Sequence, residues 1–108
     1  MPREPQLTAP VLKVVSALLA NPDTDRYGMQ LMRDTGLASG TLYPILVRLE
    51  RAGWVQARWD DVDPVAVGRP SRRYYRLTPH GVAVARREIA SMYQQMARVT
   101  GQPGLAAQ

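Results

Sequence analysis

Apolar residues recur at helical spacing soon after the start of the chain: Val11, Leu12, Val14, Val15, Leu18 and Leu19 form one broad stripe that stops at Asn21 and Pro22. Thr8 stands where a capping hydroxyl is expected, with Pro10 in the first turn. A polar connector, Asp23 to Arg26, leads to a shorter helical pattern from Tyr27 to Thr35 that carries Met29, Leu31 and Met32 and closes at Gly36. A third helix is expected to begin near Ser39 to Thr41, with Leu42, Ile45, Leu46 and Leu49 on one face and Gly53 at its stop. So few residues separate these two helices that they read as a helix-turn-helix.

At Trp54 the period changes. Trp54 to Trp59 has the aromatic and β-branched content of a strand, and Arg72 to Leu77 reads as a second. The intervening residues 60 to 71 are rich in Asp, Pro and Gly and suit a mobile loop rather than a tight turn. Thr78 and Pro79 then open a long helix reaching about Thr100, roughly 30 Å.

The pattern therefore predicts a mainly α fold with a small β-hairpin: a winged helix-turn-helix plus a long C-terminal dimerisation helix. Residues 1–7 are expected to be a flexible arm, 8–78 the winged helix-turn-helix, 79–100 the C-terminal helix and 101–108 a flexible tail.

Charge adds a partner to this outline. With 14 Lys plus Arg against 9 Asp plus Glu, the chain carries a net charge of +5, which favours a polyanion such as double-stranded DNA. Lys13 is the only lysine; arginine suits bidentate contacts to phosphate and guanine. The absence of cysteine and the single histidine, His80, leave no thiolate site, no imidazole relay and no metal cage. No enzyme activity, cofactor or metal is expected. The chain shows no run apolar enough to span a bilayer and no signal-peptide plan, so no membrane partner and a cytoplasmic location are expected.

If Leu42, Ile45, Leu46 and Leu49 face inward, Gly40, Pro44, Val47 and Arg51 face outward, flanked by Tyr43 and Arg48. Val47 can touch only a thymine methyl, so direct base reading by this helix is expected to be thin. Ser39 and Thr41 either cap the helix or bind phosphate at its N-terminus; Tyr43 is assigned a positioning role. In the loop and second strand, Arg69, Arg72 and Arg73 are expected on DNA, against the alternative of a solvated charged hairpin. Asp60, Asp61 and Asp63 lack the framework of a calcium loop and read as a solvated acidic limb.

In the last helix Val82, Ala85, Ile89, Met92, Met96 and Val99 recur in steps of three and four, and Tyr93 widens the stripe. Either the chain buries this stripe against its own first helix or it forms a homodimer through it. The length of the helix favours the homodimer, which would set two recognition helices about 34 to 36 Å apart on a palindromic site.

The string Ser39-Gly40-Thr41-Leu42-Tyr43-Pro44, preceded by Tyr27-Gly28 and joined to Gly68-Arg69-Pro70 and Arg73-Tyr74-Tyr75-Arg76-Leu77-Thr78, resembles the PadR-like transcriptional regulators over roughly residues 8 to 99. The resemblance implies a dimeric repressor with Tyr43, Arg69 and Arg73 on DNA. It also implies a small aromatic effector between subunits in some members, for which this chain offers Met92, Tyr93 and Met96 but no tryptophan. The alternatives are a winged-helix protein-interaction module, and a drug-responsive regulator with an apolar site at the dimer interface.

Overall fold

The computed structural model describes residues 4–101. Its elements are α1 (Ala9–Ala20), β1 (Arg26–Tyr27), α2 (Gly28–Thr35), α3 (Ser39–Arg51), β2 (Val55–Trp59), α4 (Pro64–Val67), β3 (Arg73–Leu77) and α5 (Pro79–Thr100). The first three long helices converge on one core. Val11, Val14, Val15 and Leu18 of α1 meet Leu31 of α2 and Leu42, Ile45, Leu46 and Leu49 of α3, all buried. Each such side chain contributes about 1.5–3 kcal/mol on burial, which offsets the weak helical propensity of Gly40 and Pro44 in α3.

The sheet has three strands rather than the two of a simple hairpin, in the order β1-β3-β2, all antiparallel. The extra strand takes the last residue of the expected connector and the first of the expected second helix: Arg26 pairs with Tyr75 and Tyr27 with Tyr74, so α2 starts at Gly28. One sheet face turns Val55, Tyr75 and Leu77 into the core; the other carries Arg58 over the Tyr74 ring at 5.1 Å, and Tyr74 edge-on to Tyr27 at 5.7 Å. Asp25 ties this outer face together, accepting from Arg58 Nε at 2.9 Å and Arg76 Nε at 3.0 Å. Burial raises the Asp25 carboxyl, but the two arginine hydrogen bonds outweigh it and hold the group below its ordinary value.

Three local expectations change. Thr8 makes no side-chain cap, although its carbonyl accepts from Leu12 N–H. The arm expected over residues 1–7 is tied down where it is described: Leu7 packs on the core, and the Glu4 carboxylate accepts from Trp54 Nε1 at 2.7 Å. The loop between β2 and β3 contains the short helix α4, capped by Asp63, whose Oδ1 accepts from Val65 N–H at 3.0 Å. Asp63 is therefore a helix cap as well as an exposed residue of the acidic limb. The C-terminal tail expected at 101–108 lies, apart from Gly101, outside the described residues.

The join between sheet and α5 is close. Thr78 donates through Oγ1 to the Gly53 carbonyl at 2.7 Å and accepts from Gly81 N–H at 2.9 Å, while its own N–H donates to the Trp54 carbonyl at 2.9 Å. Gly81 is buried against the Trp54 backbone. The first turns of α5 thus belong to the core, with Val84 and Ala85 buried and Val82 packed beside them. Ala85 and Val82 were expected on the dimer stripe; their side of the helix is taken up by the chain's own domain. Among the described residues no helix is long and apolar enough to cross a membrane, and no group of three His, Asp or Glu is placed to hold a metal ion.

Candidate nucleic-acid interface

The exposed side of α3 follows from its buried side. With its four apolar residues turned inward, Ser39, Thr41, Tyr43, Val47, Arg48 and Arg51 are all exposed. Ala38 occupies the N-cap position and no side chain caps the helix, so neither Ser39 nor Thr41 is spent on capping. Both hydroxyls stand in the first turn, where unpaired N–H groups favour an anion. Arg48 and Arg51 stand in the last turn of the same helix.

Tyr43 leans across to α2. A Cβ built on Gly28 would run into the Tyr43 hydroxyl and lie 2.7 Å from its Cζ. Glycine at the start of α2 therefore makes room for the phenol, and Gln30 Oε1 closes the turn by accepting from Tyr27 N–H at 3.1 Å. Gly28→Ala is expected to push Tyr43 off this seat. DNA affinity should fall about three- to tenfold in a gel-shift titration while stability stays within about 1 kcal/mol, because the obstacle is the free end of a side chain and alanine is the better helix former.

Between α2, α3 and the β2–β3 loop runs a groove of about 540 Å³ that brings Tyr43 together with Arg69, Arg72 and Arg73. Each arginine is held by a neighbour. Arg72 stacks on the Tyr27 ring at 4.3 Å, and Arg73 stacks on Trp59, its cross-strand partner, at 5.2 Å. Arg73 also reaches Glu50 of α3 at 3.4 Å, and Arg69 pairs with Asp60 at 3.0 Å. Asp60 is thus a paired, nearly buried residue and not a solvated one. Beneath the groove Tyr75 is buried, and that burial pushes its phenol up. Arg48 and Arg51 do not line the groove.

Tyr27, Trp59, Glu50 and Asp60 were not anticipated in this site. The signal for the first two is present in the sequence: each is an aromatic residue at the end of a strand that pairs with the arginine-rich one. The two acids gave no such signal, because their partners lie 23 and 9 positions away.

At the far side, Ile89 and Met92 are half-buried while Tyr93, Met96 and Val99 are exposed. With Leu12 and Ser16 of α1, Ile89, Met92, Tyr93 and Met96 line an apolar cleft of about 300 Å³.

The family model described as "Transcriptional regulator PadR-like family" matches residues 17–87, well over half the chain. A PadR family transcriptional regulator from Eggerthella lenta is 30% identical, with 84% of this chain and 77% of that one covered at a TM-score of 0.63. A PadR-like transcription factor from Bacteroides fragilis superposes at a TM-score of 0.70 with 22% identity, covering 84% and 86% of the two chains. The PcaV transcriptional regulator from Streptomyces coelicolor, solved in complex with its natural ligand, is 30% identical over 91% of this chain and 65% of its own, at 0.63. No curated protein matches the sequence.

Proposed function

Because the chain belongs to the PadR-like family of transcriptional regulators, and is accordingly a DNA-binding regulator rather than an enzyme, we propose that it is a cytoplasmic repressor that occupies a palindromic operator as a homodimer. The observation that carries the DNA-binding part is the division of α3: four apolar residues are buried, and the polar and basic face opens beside an arginine-lined groove. In this reading α3 enters the major groove, with Val47, Arg48 and Arg51 toward the bases and flanking phosphates, and Ser39, Thr41 and Tyr43 positioning the backbone. Arg69, Arg72 and Arg73 meet phosphates or the adjacent minor groove. Repression follows by occlusion of the promoter.

The dimer seam is assigned to the part of α5 beyond the core, Ile89, Met92, Tyr93, Met96 and Val99, with Leu12 and Ser16 of α1 beside it. Tyr93 and Met96 are each 51% exposed, which leaves large apolar surface without a partner in the single chain. Replacing both by glutamate is expected to give a folded monomer by sedimentation. On an inverted repeat its binding should fall at least about a hundredfold, toward that of a single half-site. A double variant that remains dimeric places the seam elsewhere.

A small aromatic effector at the seam is a second reading, favoured by the apolar cleft lined by Met92, Tyr93 and Met96. Neither Trp54 nor Trp59 lines it, so calorimetric titration with planar dyes is the suitable assay.

A further inference from the structure

A carboxylate on the rim of a DNA-binding loop repels phosphate, and simple electrostatics makes Asp60 a hindrance. Its surroundings argue otherwise. The Asp60 side chain is 9% exposed, and Oδ2 accepts from Arg69 Nη1 at 3.0 Å. The same nitrogen donates to the Pro70 carbonyl, also at 3.0 Å. Both protons of Nη1 are thus directed inward, while among the described residues Nε and Nη2 of Arg69 make no hydrogen bond.

The pair is one-pronged. Asp60 Oδ1 is buried with no hydrogen-bond partner among the described residues. An arginine fork committed to a carboxylate engages both oxygens; this one is anchored by a single nitrogen, and the edge able to make a bidentate contact is kept free. The anchor is itself fixed, because Asp60 N–H donates to the Arg72 carbonyl at 2.9 Å and closes the base of the loop. Burial raises the Asp60 carboxyl, yet the hydrogen bond from Arg69 and the nearby Arg72 amide outweigh it, so the group is ionised at neutral pH.

We propose that Asp60 is a positioning residue for DNA binding: it holds Arg69 by Nη1 so that the free Nε–Nη2 edge meets two oxygens of one backbone phosphate. The inference rests on the reading that Arg69 contacts DNA. Without the anchor, a long and flexible side chain must be ordered at the moment of binding, which weakens the complex.

The sign of the effect is the test. Asp60→Asn keeps the size of the side chain and the backbone closure but removes a negative charge, which on charge alone strengthens DNA binding. Positioning predicts the reverse. Gel shifts on a duplex from upstream of the protein's own gene are expected to show D60N about three- to tenfold weaker than wild type, with at most a small loss of melting temperature. D61N makes the same charge change at a residue with no ion pair among the described residues, and should bind equally or more tightly. R69A should lose about tenfold, and D60N should add nothing in that background. Asp60→Glu, which retains the charge, should recover part of the loss. If D60N binds as tightly as D61N while R69A is weak, the positioning role falls and the reading of Arg69 stands. If R69A binds normally, the contact by Arg69 falls, and the role of Asp60 with it.

Discussion

Gly81→Ala is expected to lower the thermal midpoint by more than about 10 °C. The new Cβ would collide with the Trp54 carbonyl oxygen and lie 2.8 and 2.9 Å from its carbon and Cα. None of these atoms is free to yield. The carbonyl is fixed by Thr78 N–H, and the Trp54 side chain is 1% exposed in the core, with its indole N–H held by Glu4. Relief requires α5 to lift away and loosen Val84 and Ala85. Overpacking against a rigid wall costs about 3 kcal/mol or more, and for a domain of this size each kcal/mol moves the midpoint by roughly 4–8 °C. Thermal unfolding followed by circular dichroism measures it. A midpoint within about 2 °C of wild type would show that α5 does not start against Trp54. Gly28→Ala serves as the contrast, since a collision of similar closeness there meets only the tip of Tyr43.

Removing Arg69 and Arg73 together is expected to weaken DNA binding by about 30- to 150-fold. An arginine contact is worth roughly 1–3 kcal/mol, but these two are already engaged in the free chain, Arg69 with Asp60 and Arg73 with Glu50 and Trp59. Arg73 must leave its partners to bind, and Arg69 shares its charge with Asp60 while bound, so the lower part of that range applies, about 1–1.5 kcal/mol each. The dependence of log affinity on log salt should also become shallower by about 2, one unit for each lost phosphate. Fluorescence anisotropy at two salt concentrations reads both quantities. Arg98→Ala, on the exposed last turn of α5, should change neither. Unchanged affinity and slope in the double variant would take the loop off the DNA and leave α3 to bind alone.

What the sequence reveals here depends on how many residues share a signal. The inward face of α3 repeats four times and is legible at once; the same holds for α1 and for the two strands of the hairpin. β1 has two residues, too few for any period, and is created by β3 lying beside it. α4 has its signals, an Asp before a Pro, but four residues of helix are lost within a loop of that composition. The stripe on α5 was readable as apolar, yet spacing does not say whose apolar surface it meets. Ala85 and Val82 meet their own domain, while Tyr93, Met96 and Val99 remain open. In the groove, residue types singled out the arginines, and the aromatic residues beside them stand in the sequence. The acids that fix their geometry, Asp60 and Glu50, depend on tertiary pairing and are visible only in three dimensions.

The central position of β3 has a bearing on how the chain reaches its native state. Its partner β2 is brought alongside by closing a modest loop, but its partner β1 lies nearly fifty positions earlier, as the pairing of Arg26 with Tyr75 shows. Closing so long a segment is entropically unfavourable unless the intervening chain has already condensed, and two residues of ladder return little for it. The helical hairpin of α2 and α3, whose contacts are local, is therefore expected to form early, and docking of β1 to come late in the folding sequence. The last step to complete is then the one that sets Tyr27 beneath Arg72, so the arginine groove is assembled only when the whole domain has folded. A partly folded chain is then expected to have α3 without the finished groove.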